Sequence, residues 1–245
     1  MSYDVISSVY DSFSGVNAED RAAFLDSVFK KEKGKIILDI GCGSGCVTSL
    51  MSQKGYSMIG CDESYEMLEL AAKTTAGSDV LLLNQAAEEL DLYGTVDGAY
   101  AVGDVINHIT DKRRLQRAFD RISLFMVKGS LFVFDINTEH KFKSSLSQNC
   151  YYFENESNSL VWQNDYNEKS GICDFCLTLF SKADDGRYEK REEFFSERCY
   201  SVDTVTEMLK KAGLYVKKIY GGEFTSKRAP RENDERIIIV AKKEG

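Results

Sequence analysis

The chain predicts an α/β fold: a doubly wound, mostly parallel seven-stranded sheet with a small antiparallel sheet inserted into it. Three observations predict it. Apolar strand-like runs alternate with helical periodicity from residue 36 to residue 136. The first of these runs, Ile36-Ile37-Leu38-Asp39-Ile40, leads straight into Gly41-Cys42-Gly43-Ser44-Gly45, a turn that places glycines at alternate positions. Beyond residue 147 the helical pattern gives way to β-type stretches separated by turn signals.

The elements follow in order. Residues 1–35 are polar and helical in tendency, and Asn17-Ala18-Glu19-Asp20 offers a helix start ahead of Ala22-Ala23-Phe24-Leu25. Strand 36–40 precedes a helix near 44–54, and strand 57–61 a helix near 64–76. Strand 79–84 precedes a loop and a strand near 97–102. A helix over 111–127 sets Leu115, Ala118, Phe119, Ile122 and Phe125-Met126 at helical spacing, and 130–136 is the fifth strand. This alternation implies parallel pairing through right-handed crossovers. Stretches 151–154, 160–166, 172–182 and 187–200 read as antiparallel strands, with turns such as Lys169-Ser170-Gly171 between them. A helix near 202–212 stops at Ala212-Gly213-Leu214, and strands 214–220 and 235–242 complete the large sheet. The expected division is 1–147 with 201–245 as the main domain, its residues 1–35 forming a lid, and 148–200 as an inserted cover.

Bulk properties narrow the partners. At 245 residues with 43% hydrophobic content, the chain fits one α/β domain with an insertion. No apolar run approaches the ~18 residues of a membrane span, and Met1-Ser2-Tyr3-Asp4 does not open a signal peptide. The expected location is cytoplasmic. The net charge of −8, with only short basic runs such as Lys112-Arg113-Arg114, argues against nucleic acid and for a small molecule. The seven cysteines read as reduced thiols. Cys173-Asp174-Phe175-Cys176 lacks a second pair and alternates like a strand, so no metal is expected.

The second strand, Ser57-Met58-Ile59-Gly60-Cys61-Asp62, ends in an acid that can accept hydrogen bonds from the vicinal hydroxyls of a ribose. With the glycine turn it describes a nucleoside-cofactor site. A dinucleotide fingerprint, G-x-G-x-x-G, would place its third glycine at Cys46; here that glycine comes one residue early, at Gly45, and Asp39 precedes the turn.

The pattern D-x-G-x-G-x-G over residues 39–45 resembles motif I of the class I S-adenosylmethionine (SAM)-dependent methyltransferases. Gly60-Cys61-Asp62-Glu63-Ser64-Tyr65-Glu66-Met67-Leu68 resembles that family's second-strand motif. The resemblance implies a Rossmann-like sheet whose last strand runs antiparallel, and SAM as cofactor. It implies that Gly41, Cys42, Gly43 and Gly45 pass close to the cofactor's methionine part, and that Asp39 orients the loop and the cofactor's ammonium. Asp62 takes the ribose, with Glu63 and Met67 in the same motif. Many members place an Asp after the third strand to read adenine. Here Ala86 stands in its place, which leaves the ring to Gln85 and to the Ala86 and Ala87 backbone.

The end of the fourth strand, Val102-Gly103-Asp104-Val105-Ile106-Asn107-His108, is expected to face the transferring methyl. It lacks the N-P-P-Y-like clamp of nucleic-acid and protein amide methyltransferases; the one proline is Pro230. Asp104 and His108 are candidates to accept a proton or orient an amine, the alternative for His108 being a loop or helix-cap histidine. Tyr10, in Tyr10-Asp11-Ser12-Phe13, resembles a lid residue and is a third catalytic candidate, the alternative being a helix that anchors its aromatics in the core. The inserted sheet resembles the cover of sugar-amine N,N-dimethyltransferases and glycine-type N-methyltransferases, which closes over the acceptor and can help form a homodimer. Trp162, Arg198, Tyr200 and Arg236 are candidate substrate contacts, each with sheet packing or surface pairing as the alternative. Glu192-Glu193 reads as the solvent edge of a strand. The expected reaction is in-line methyl transfer to a nitrogen or oxygen of a small polar metabolite. Two alternatives stay open: an NAD(P)-dependent oxidoreductase and a non-catalytic SAM-binding module.

Overall fold

Ile36–Ile40 (β1) is buried from its second residue onward, as a strand covered on both faces must be. A computed structural model describes residues 17–32, 35–183 and 185–244. Around β1 lie Ser57–Asp62 (β2), Val80–Asn84 (β3), Val96–Ala101 (β4) and Met126–Asn137 (β5). Near the end of the chain come Leu214–Gly221 (β10) and Arg236–Lys243 (β11). The sheet order is β10-β11-β5-β4-β1-β2-β3. The β1–β2, β2–β3, β1–β4 and β4–β5 pairs are parallel. β11 is antiparallel to both its neighbours.

Helices cover both faces. They are Ala18–Phe29 (α1), Cys46–Gln53 (α2), Tyr65–Thr74 (α3), Val105–His108 (α4), Lys112–Phe125 (α5), Glu139–Ser144 (α6) and Val202–Lys211 (α7). Alternate residues of a strand point to opposite faces, and the two cores follow that rule. Ile37, Tyr100 and Ile238 join Phe24, Leu25 and Phe29 of α1 and Met51 of α2. Leu38, Ala99 and Phe132 join Leu115, Phe119 and Ile122 of α5 and Leu209 of α7. Short polar side chains start the helices: Asn17, Ser64, Asp111 and Ser201 each accept a backbone N–H of the first turn.

Several boundaries differ from expectation by two residues or more. α2 begins at Cys46 because Gly45 is its N-cap at φ +80°, so Ser44 belongs to the turn. β5 starts at Met126, directly after α5, four residues earlier than the apolar run alone suggests.

The second sheet is an antiparallel meander of Cys150–Glu154 (β6), Asn158–Asn167 (β7), Ile172–Lys182 (β8) and Tyr188–Arg198 (β9). Cys173 and Cys176 are three apart on β8, so they face opposite sides. The Glu192-Glu193 expectation needs correction. The β9 register sets Glu193 opposite Leu177 and Phe195 opposite Phe175, which turns Glu193 inward at 5% exposure and leaves Phe194 69% exposed.

Candidate functional site

The chain runs outward from β1 through β2 to β3, then returns to β4 on the other side of β1. That reversal opens a crevice beyond the carboxyl ends of β1 and β4, the usual ligand position in such sheets. A cavity of about 390 Å³ occupies it, a size typical of small-molecule sites. Its walls are the loop after β1, the tips of β2 and β4, residues 85–88, the loop following α4, and residues 194–196 of β9.

At the loop, Asp39 is buried and accepts hydrogen bonds from Thr48 Oγ1 (2.5 Å) and Tyr100 OH (2.8 Å). Burial pushes its pKa up to about 7 against those two donors. Asp62 accepts from the Gly43 N–H and the Ser64 N–H, both at 2.9 Å. Burial raises its pKa too, and the same two N–H groups oppose the rise. Each carboxylate keeps lone pairs for a ligand. Arg21 of α1 also lines the cavity, and a Cβ added to Gly103 would lie 2.9 Å from its Nη1.

The loop's own N–H groups bear on the choice of cofactor. Gly41 and Cys42 donate to Cys61 O, Gly43 to Asp62, and Gly45 to Cys42 O. A pyrophosphate site needs such groups aimed at the ligand; here they hold the loop to β2. The wall also carries Asp39, Asp62, Glu63 and Glu88, against Arg21 and an Arg114 that is paired with Glu88. This acidic cavity fits a cationic sulfonium better than a dinucleotide's phosphates.

Not every expected cofactor residue has the same neighbours. Gly41, Cys42, Gly43, Asp39, Asp62, Glu63, Met67, Gln85, Ala86 and Ala87 line the cavity. Gly45 lies outside that lining, packed against Ala71 of α3. The Gln85 side chain spans its own loop, donating to Asp91 O at 3.1 Å and accepting from Asp91 N at 3.0 Å.

At the other end, His108 lines the cavity and its ring lies 5.3 Å from that of Phe195. Its Nε2 is 3.6 Å from Asp104 Oδ1 and 4.0 Å from Glu197 Oε1. Burial acts against a charged imidazole, but the Asp104 hydrogen bond and the Glu197 and Asp104 charges outweigh it, and the His108 pKa is raised. Burial would raise Asp104 as well, yet His108 and Arg236 hold it well below the usual carboxylate range. The Asp104 backbone is left-handed, φ +55°, a conformation that Asp tolerates better than most residues. Asp135 at the end of β5 secures that turn, accepting from Gly103 N (2.8 Å) and Asp104 N (3.2 Å) while paired with Arg236. Asp104, His108 and Glu197 have the donor types of a metal site within 4.8 Å of one another. Asn137 already bridges the two carboxylates and Arg236 stands beside Asp104, so the trio is served by protein donors.

The four expected substrate contacts sit away from the cavity lining. Trp162 packs among Tyr151, Phe153 and Phe175 in the cover. Arg198 donates from Nε to Thr110 O (2.5 Å), and Tyr200 OH donates to Ile109 O (2.5 Å). Arg236 is buried against Asp135. Tyr10 lies outside the described residues. Sequence reasoning missed Arg21, Phe195, Asp135, Asn137 and Glu197. Asp135 and Asn137 did leave a signal: they are the polar residues that follow the apolar run Leu131-Phe132-Val133-Phe134.

Residues 37–129 match the family described as "Methyltransferase domain". A protein of Geobacillus sp. (strain WCH70) named "Putative methyltransferase" is 28% identical, over 99% of this chain and 100% of that one. An 18S rRNA (guanine-N(7))-methyltransferase of Arabidopsis thaliana is 31% identical over 43% of this chain and 39% of its own. Among solved structures, an S-adenosylmethionine-dependent methyltransferase from Clostridium acetobutylicum ATCC 824 superposes with TM-score 0.89 at 22% identity, covering 99% of both chains. The amino pentose methyltransferase CalS10 from Micromonospora echinaspora, in a SAM-bound structure, gives TM-score 0.76 at 16% identity, over 98% of this chain and 97% of that one.

Proposed function

We propose, from the premise that the chain belongs to the class I SAM-dependent methyltransferases, that it methylates a nitrogen or oxygen of a small polar metabolite. One observation carries the reading: a single cavity joins the acid-lined loop after β1 to His108 and to the cover strand β9. When bound, SAM supplies an activated methyl on a sulfonium, so the protein's task is alignment and proton handling.

The chain's residues divide that task. Asp62 takes the ribose hydroxyls on the lone pairs that Gly43 and Ser64 leave open. Asp39 meets the cofactor's ammonium and Arg21 its carboxylate, since Arg21 is the cavity cation among the described residues that is not paired with Glu88. His108 receives the acceptor's proton, and Phe194, Phe195 and Ser196 of β9 close the acceptor side against water. The small-molecule choice rests on the net charge of −8 and on an opening roofed by the cover. The amino pentose methyltransferase shares this arrangement of sheet and cover over nearly its whole length, whereas the rRNA methyltransferase is matched over less than half.

Titration calorimetry with S-adenosylhomocysteine (SAH), with NAD⁺ as control, tests the cofactor assignment. SAH alone is expected to bind, and Asp62→Ala should weaken it at least ~tenfold, because charge-assisted hydrogen bonds contribute about 1.5–3 kcal/mol each. Unchanged affinity in that variant would remove the ribose assignment. A screen with SAM against amines, hydroxylated metabolites and rRNA tests the acceptor class; turnover on rRNA alone would overturn the small-molecule reading, and binding without turnover on any acceptor would favour a SAM-binding module.

A further inference from the structure

We infer that Glu197, on the last cover strand, is a positioning residue for His108, fixing and polarising the imidazole so that the proton acceptor is assembled jointly by the main sheet and the cover. The inference rests on the methyl-transfer reading of this cavity. Its observations are separate from that reading and lie at the junction of β5, α4, α6 and β9.

Glu197 is 5% exposed and lies on the second sheet, whereas Asn137, which it meets, ends a strand of the main sheet. Its Oε1 is 4.0 Å from His108 Nε2, while Asp104 Oδ1 reaches the same nitrogen at 3.6 Å. Asn137 Nδ2 donates to Glu197 Oε2 (2.9 Å) and to Asp104 Oδ2 (3.3 Å), setting the carboxylates side by side. Lys141 Nζ donates to Asn137 Oδ1 at 2.9 Å, which determines the end of the amide that faces them. One nitrogen of the imidazole is thereby directed at two acids, and the Phe195 ring faces the imidazole.

Three cross-links keep this arrangement in register. Asn107 Nδ2 donates to Arg198 O (2.9 Å), Arg198 Nε to Thr110 O (2.5 Å) and Tyr200 OH to Ile109 O (2.5 Å). Asn107 before His108, and Ile109 and Thr110 after it, are therefore pinned to the segment that follows Glu197. Such reciprocal side chain-to-backbone bonds define a rigid seam.

Several charges surround the imidazole. Asp104 lies on its own turn, Glu197 on β9, Lys141 on α6, Asp135 and Arg236 on β5 and β11, and Asp62 acts from β2. Burial drives Glu197 up to about 7, helped by the Asp104 charge and opposed by His108, Lys141 and Asn137. In turnover the proton leaves the acceptor's N–H or O–H for the His108 imidazole. The bonding pair stays on the acceptor atom, which becomes the nucleophile, and the proton passes to water when product departs.

The test is an NMR titration of the histidine side chains in the full-length protein. There are two histidines, so His140→Gln identifies the His108 signal. Glu197→Gln is expected to lower the His108 midpoint by about one pH unit or more, and Glu197→Asp to lower it less. An unchanged midpoint in a cooperatively melting Glu197→Gln protein overturns the inference. Should Glu197→Gln not fold, Glu197→Asp decides by the same criterion. SAH calorimetry on the wild-type protein keeps the two readings apart: failure to bind would remove the methyl-transfer reading, while the midpoint comparison still decides the role of Glu197.

Discussion

Gly43 and Gly45 share one loop and positive φ values of +53° and +80°, yet they answer to different neighbours. A Cβ on Gly45 would lie 2.9 Å from Ala71 Cα, backbone that cannot yield without separating α2 from α3. A Cβ on Gly43, which lines the cavity, meets nothing within 4 Å. Gly45→Ala is therefore expected to lower stability by about 1–3 kcal/mol in urea unfolding. Gly43→Ala shares the left-handed backbone strain but not the clash, so it should lose less stability and show its main loss in SAH affinity. Equal effects of the two on stability would mean that Gly45 is not a packing residue. From spacing alone the three glycines look equivalent. The distinction depends on where α3 returns, and no local pattern encodes that.

At the scale of elements, the alternation of strand and helix was legible throughout the main sheet, because buried parallel strands and amphipathic helices leave unmistakable periods. Ile36–Ile40 and Lys112–Phe125 fall within a residue or two of their expected bounds. The face of β9 was not legible. Glu189 through Glu193 is too polar to show a hydrophobic phase, and the phase came from pairing with β8. Arg198 and Tyr200 were visible as unusual residues but not as fasteners, since their partners Thr110 and Ile109 are carbonyls that any residue would offer. Tyr200→Phe should cost about 1 kcal/mol, the usual net value of such a bond. Hydrogen exchange should accelerate at amides 107–110 and stay unchanged in β1; acceleration spread evenly over the sheet would contradict a local seam.

For the whole molecule, the raised acids make stability and ligand affinity pull in opposite directions with pH. Asp39 and Glu197 both titrate near 7 when folded, well above their ordinary values. They stabilise the fold fully below their unfolded pKa values, and that contribution is lost as pH rises through the folded ones. Asp104, held low, has the opposite sense but acts only far into acid. The melting temperature of the ligand-free protein should therefore climb between pH 8 and pH 6. SAH affinity should instead strengthen from pH 6 to pH 8, because an ionised Asp39 best meets an ammonium. Asp39→Asn should flatten the affinity trend and reduce the melting trend to the part that Glu197 carries, and a melting curve independent of pH in the wild type would contradict the burial argument. Among the described residues no helix is long and apolar enough to cross a membrane.

The seam between 107–110 and 198–200 also bears on how such a protein changes its diet. The hairpin tips near Ser157 and Asp185 lie at the far ends of the cover strands from it, while Glu197, Arg198 and Tyr200 form its root. Variation can accumulate at the tips without loosening that root. A cover borrowed from a relative would bring its own root along, and must match Asn107, Asn137 and the 109–110 carbonyls to seat at all. New acceptors are thus more readily acquired by editing loops than by exchanging covers.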